Sequence, residues 1–79
     1  MKKQGISTRM RNLMNAHIGK VYNYFYNGNT FTWSVTIKAI MDNTGYFITE
    51  INDGQNVWES NASYGEVTSN LKKGLFIEA

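Results

Sequence analysis

The chain contains no cysteine and no proline. Without thiols there is no disulfide to staple the fold and no thiolate to hold a metal, so it does not read as a stapled secreted domain. No apolar run approaches the roughly 18 residues that span a bilayer. Residues 1–12 also lack the apolar stretch of about 7 to 15 residues that a signal peptide needs, which makes a cytoplasmic location the expectation and a membrane partner an unlooked-for one. Glycines occur, but never as GxGxxG or GxxxxGK, so no phosphate loop is present, and no serine sits in a GxSxG setting. With 79 residues the chain has length for one core, a single domain over 1–79 that buries about 60% of the surface its unfolded form exposes. Its 11 aromatic residues, made up of two Trp, five Tyr and four Phe, must supply much of that core.

Charge is unevenly spread. The net charge is +2, yet Lys2, Lys3, Arg9, Arg11 and Lys20 stand among residues 1–20 with no carboxylate, while the rest of the chain sets three lysines against six carboxylates. A basic segment of this kind meets an anionic partner or folds against the acidic remainder of its own chain.

Within that segment Ile6, Met10, Leu13, Met14 and His17 recur at helical spacing, predicting a helix over Ile6–Ile18 with Ser7 or Thr8 as cap and Gly19 past its end. The apolar period then shortens to two. Val21–Tyr26, Asn27-Gly28 and Thr30–Met41 read as a hairpin whose type I′ turn sets Tyr24 opposite Phe31 and Tyr22 opposite Trp33. Asp42-Asn43-Thr44-Gly45, with Gly45 left-handed, leads into a third strand, Tyr46–Ile51, placing Ile37 opposite Ile51, Met41 opposite Phe47 and Lys38 opposite Glu50. Asn52-Asp53-Gly54 turns the chain into a fourth strand, Gln55–Ser60, with Ile48 facing Trp58 and Thr49 facing Val57. Ser63 and Glu66 have capping-box spacing for a second helix, Tyr64–Lys73, closed by Gly74. Leu75–Ile77 can return as a short edge strand. The fold class is therefore α+β: an N-terminal helical segment (1–20), a curled four-stranded antiparallel meander (21–60) and a C-terminal helix (63–74).

Alternation divides the sheet. Phe31, Trp33, Val35, Ile37, Phe47 and Ile51 make the larger apolar face, and Phe25, Ile40, Ile48 and Trp58 mark the other. Either each helix covers one face or the smaller face binds a partner, with a homodimer as one outcome. Tyr22, Tyr24, Phe31 and Trp33 could stack bases, but they share a face with Val35 and Ile37 and read as core. His17 stands alone, without the cysteine or histidine spacing of a transition-metal site, and reads as a structural residue. Asp42 and Asp53 belong to turns, Glu50 faces Lys38 and Glu66 caps a helix, so no carboxylate pair is left for glycosidase chemistry. No cofactor is implied.

Gly45-Tyr46-Phe47-Ile48-Thr49-Glu50-Ile51, followed by Ser60 and a capped helix bearing Val67, Asn70 and Leu71, resembles the strand–strand–helix part of HicB-type antitoxins over about 35 residues. The proline-rich loop of that pattern is missing, and the N-terminal helix has no counterpart in it. The resemblance implies a three-stranded sheet with a covering helix, and no functional residue carries over.

The sequence thus reads as a non-catalytic binding protein. The expected partner is a nucleic acid or a host protein that handles one, met through Lys2, Lys3, Arg9, Arg11 and Lys20, with Trp58 as an exposed aromatic contact. A phage or mobile-element accessory protein that inhibits a host factor suits that description. The alternative is a self-assembling protein that uses the second apolar sheet face, with a small enzyme third.

Overall fold

A computed structural model describes residues 5–27, 30–42 and 44–79. Two helices and one open antiparallel sheet of five strands make an α+β fold: α1 (Thr8–Asn15), β1 (Val21–Tyr26), β2 (Thr30–Ile40), β3 (Tyr46–Asn52), β4 (Val57–Ser63), α2 (Tyr64–Lys73) and β5 (Phe76–Glu78). The strand order is β4-β3-β2-β1-β5. The first four strands form a meander, and α2 then carries the chain from one edge of the sheet to the other. One core results, in which Met14 of α1 and Val67 of α2 join Tyr22, Val35, Ile37, Phe47, Ile51, Ala62 and Phe76. Both helices therefore lie on the same face, which removes the alternative in which each helix covers one face.

α1 is shorter than its apolar spacing suggests. Ser7 caps it through the Met10 amide at 3.1 Å, but after Asn15 the chain tightens into turns in which His17 and Ile18 donate to the carbonyls of Met14 and Asn15. These turns aim the chain at the sheet, where Gly19, at φ +88°, donates to the Ile37 carbonyl at 2.8 Å. Leu13, expected on the apolar face, is 43% exposed.

Strand limits are close to expectation, whereas the pairings differ for identifiable reasons. Tyr24 pairs with Trp33 and Tyr22 with Val35, because a bulge near Tyr24 and Phe25 shifts the first hairpin. Asn27 is left-handed at φ +63°; Gly28 and Asn29, on which the type I′ expectation rested, lie outside the described residues, as does Asn43. In the second turn it is Asp42, at φ +41°, and not Gly45 that has the positive φ. Val35 pairs with Ile51 and Ile37 with Thr49. This slip of two keeps the expected faces, since side chains alternate with a period of two. A further bulge at Lys38 pairs Ile40 with Phe47, turning Ile40 onto the core face, where it packs against the cluster. Lys38 still reaches Glu50 at 3.2 Å, although Glu50 pairs with Thr36.

The third turn has the largest consequence. The Asp53 carboxylate accepts from the amides of Gln55 (2.9 Å) and Asn56 (2.7 Å), and the Asn52 side chain accepts from Gly54. These bonds stabilise a loop longer than three residues, so β4 begins at Val57, and Trp58 pairs with Ile51 instead of Ile48. The shift from the expected register is odd. Every β4 side chain therefore changes face, and Trp58 arrives on the helix-bearing side against Trp33, ring centroids 5.8 Å apart. Phe25, Ile40, Ile48 and Trp58 thus do not form one second apolar face; Ile48 instead sits among Ala39 and Asn61 of the neighbouring strands.

α2 runs over the expected residues. Ser63 accepts from the Glu66 amide at 3.0 Å, and Gly74 ends the helix in the left-handed conformation at φ +79°. β5 follows at Phe76–Glu78, one residue later than expected.

Candidate functional site

Two regions of the helix-bearing face differ in character. At one end α1 closes over the sheet. His17 Nδ1 and Tyr22 Oη share a hydrogen bond of 2.7 Å, and the imidazole meets the rings of Tyr22, Phe47 and Tyr64 edge-on at about 6 Å. Burial, helped by the Lys20 charge, lowers the His17 pKa, and burial raises that of the Tyr22 phenol. A neutral imidazole bonded to a neutral phenol among aromatic rings is a packing arrangement. Among the described residues no group of three or more His, Cys, Asp or Glu could hold a metal ion.

At the other end the face is open. Neither α1 nor the turns after it reach this part of the sheet, and α2 roofs it only partly, leaving a cleft of about 280 Å³. Tyr24, Trp33, Trp58 and Phe76 wall the cleft, and Val35 and Ile51 contribute to its lining. The walls brace one another: Tyr24 stacks on Trp33 and meets Phe76 at right angles, both with centroids 5.8 Å apart. Asn70 and Glu66 of α2 and Ser60 and Asn61 of β4 supply polar groups.

Two features set this cleft apart from an ordinary packing gap. Thr49, which lines it, is 1% exposed, and its hydroxyl has no hydrogen-bond partner among the described residues. A buried hydroxyl left unpaired costs about 1 to 3 kcal/mol, so a water or ligand atom is its natural complement. Glu66, moreover, completes only half of the expected capping box. Its amide is bonded by Ser63, but its carboxylate does not reach back and has no partner among the described residues. Glu66 is the one charged residue that the described residues contribute to the lining.

The sequence-derived site residues do not converge. Lys2 and Lys3 lie outside the described residues. Arg9 and Arg11 are exposed on α1, and no residue of α1 lines the cleft. Lys20 is paired with Glu78 of β5 at 2.9 Å; that bond and the carboxylate's charge raise the Lys20 pKa. Trp58 alone belongs to the cleft. Thr49, Asn70 and the free Glu66 carboxylate were not singled out by sequence reasoning, because the register that gathers them depends on the length of the Asp53 loop.

No helix among the described residues is long and apolar enough to cross a membrane. No family model, no curated protein and no solved structure matches this chain, so the likeness of residues 45–71 to HicB-type antitoxins remains one of pattern.

Proposed function

We propose that this chain is a non-catalytic binding protein whose site is the aromatic cleft, and that the cleft takes the cationic side chain of a partner protein, an alkylammonium or a guanidinium. The observation that carries this reading is Glu66, whose carboxylate has no partner among the described residues and which is the one charged residue they contribute to a lining otherwise built of aromatic, aliphatic and neutral polar groups. Aromatic faces are electronegative and attract cations by about 0.5 to 2 kcal/mol, and a charge-assisted hydrogen bond adds about 1.5 to 3. The Thr49 hydroxyl and the Asn70 amide offer acceptors for the remaining N–H groups.

The chain's two tryptophans both line the cleft, so intrinsic fluorescence reports directly on it. Titration with butylguanidinium and butylammonium, at fixed ionic strength, is expected to give a saturable change with a dissociation constant on the order of millimolar. Butyrate should give none. Glu66→Gln should weaken cation binding about tenfold. An absent response, or equal affinity for butyrate, overturns the reading.

A second reading concerns α1, which bears two exposed arginines and no acidic residue and lies away from the cleft. It supports docking on an anionic partner, nucleic acid or a nucleic-acid-handling protein. For nucleic acid, log affinity should fall linearly with log salt, and the slope should shrink by about one for each of Arg9→Gln and Arg11→Gln. Salt-insensitive binding removes this reading without touching the cleft.

A further inference from the structure

The edge of the sheet formed by β4 carries an inference independent of what the cleft binds. Two backbone bonds, one at each end of the strand, fix which way its peptide groups point: Tyr64 donates to the Gly45 carbonyl at 2.9 Å, and Asp53 donates to the Asn56 carbonyl at 3.1 Å. With Tyr46 paired to Ser63 and Asn52 to Val57, the alternation of an antiparallel ladder aims Trp58, Ser60 and Ala62 at β3. Val57, Glu59, Asn61 and Ser63 then turn their N–H and C=O groups away from the sheet. β4 is the terminal strand in the order, and α2 leaves it at Tyr64 for the opposite edge, so no element among the described residues pairs with these groups. β4 has no proline, lysine or bulge to blunt its edge, and Glu59 is its one charged residue.

We infer that two copies of this chain pair through β4, antiparallel, about a two-fold axis at Ser60, joining two five-stranded sheets into one. A closed dimer needs an isologous contact, so the strand must complement itself. Outward-pointing residues must face outward-pointing residues, which leaves few registers. With the axis at Glu59, that carboxylate would face its own copy, a destabilising arrangement, and Ser63 would fall beyond the paired strand. With the axis at Asn61, Val57 would lose its partner. Only the axis at Ser60 pairs all four outward residues, Glu59 with Asn61 and Val57 with Ser63 in both directions, giving on the order of eight backbone hydrogen bonds. On the cleft-bearing face the same register sets the large Trp58 beside the small Ala62 of the other copy. The Ser63 amide, which Glu66 leaves unbonded by not closing the capping box, finds its acceptor there.

The chain's lack of cysteine makes the register directly readable. Ser60 would face its counterpart in a non-hydrogen-bonded pair, where Cα atoms are about 4.5 Å apart, within the roughly 4.4 to 6.8 Å that a disulfide spans. Under mild oxidation Ser60→Cys is expected to cross-link almost completely, whereas Glu59→Cys and Asn61→Cys should cross-link at least fivefold less. Sedimentation of the unmodified chain at tens to hundreds of micromolar should show a dimer. Asn61→Pro, which removes only an outward N–H and leaves the β3 ladder intact, should convert it to a monomer with unchanged circular dichroism. A monomer throughout that range overturns the inference, as does a dimer that survives Asn61→Pro or cross-linking strongest at Glu59→Cys or Asn61→Cys. Should Asn61→Pro fail to fold, the cysteine series decides alone.

Discussion

Met14 and Leu13 are neighbours in α1 with opposite environments, and replacing each by alanine tests how that helix is held. Met14 is fully buried, the one buried residue of α1, whereas Leu13 is 43% exposed. The helix has eight residues, fewer than the roughly 12 to 15 at which isolated helices become even marginal, so it exists only while docked. Truncating a buried methionine costs about 2 to 5 kcal/mol. Because a short helix at the end of the sheet can settle into the space or detach, the lower part of that range, about 2 to 3, is expected. Leu13→Ala should cost less than about 1 kcal/mol. A chain of 79 residues has a total stability of about 4 to 12 kcal/mol, so the sheet should survive Met14→Ala. Urea denaturation followed through Trp33 and Trp58, which lie outside α1, gives the two costs. Trypsin cleavage at Arg9 and Arg11 reports whether α1 has come loose, and only Met14→Ala should speed it. Equal costs for the two variants would refute the docking argument.

The lowered pKa of His17 makes stability pH-dependent with a defined sign. As pH falls through about 6.5, the ordinary histidine value, the unfolded chain takes up the proton before the folded one, so stability is full above that pH and declines below it; urea midpoints measured from pH 8 to 5 should fall, and less steeply in His17→Gln. Gly74 and Gly45 make a second contrast. An added Cβ meets nothing within 4 Å at either, but only Gly74 has a positive φ, +79°. Gly74→Ala should therefore cost about 1 kcal/mol, a melting temperature lower by about 4 to 8 °C, while Gly45→Ala should change stability by less than about half as much or raise it.

Most elements were legible in the sequence because local chemistry decides them. Ser63 and Gly74 bracket α2 where capping and left-handed geometry require, and the alternation through Val35, Ile37, Phe47 and Ile51 identifies the buried face. What escaped was register. A slip of two at Tyr22 or Ile37 leaves faces unchanged and does little harm to the reading, but an odd slip reverses them. Asp53, by bonding two amides of its own loop, introduces such a slip, and the bulge at Lys38 introduces another. Trp58 and Ile40 consequently appear on the opposite face from the one alternation alone assigns. The cleft was invisible for the same reason: its residues come from β1, β2, β3, β4, α2 and β5, and only the true register brings them together. For the basic residues, charge counting could not foresee that Lys20 meets Glu78, which lies 58 positions further along the chain.

The crossover by α2 also determines the order in which this molecule can assemble. The three hairpins of the meander join segments adjacent in the chain, so their closure entropy is small. β5 instead places Phe76 opposite Tyr24 and stacks its ring on Tyr22, 5.6 Å between centroids, across more than fifty intervening residues. Such a long closure is rewarded only after β1 has already found β2. The transition state for folding is therefore expected to contain the meander and not β5. Removing the Phe76 ring should leave the folding rate almost unchanged and accelerate unfolding by nearly the full loss of stability. Until β5 arrives, β1 is a second open edge, and a folding chain spends that interval with both sides of its sheet available to neighbours.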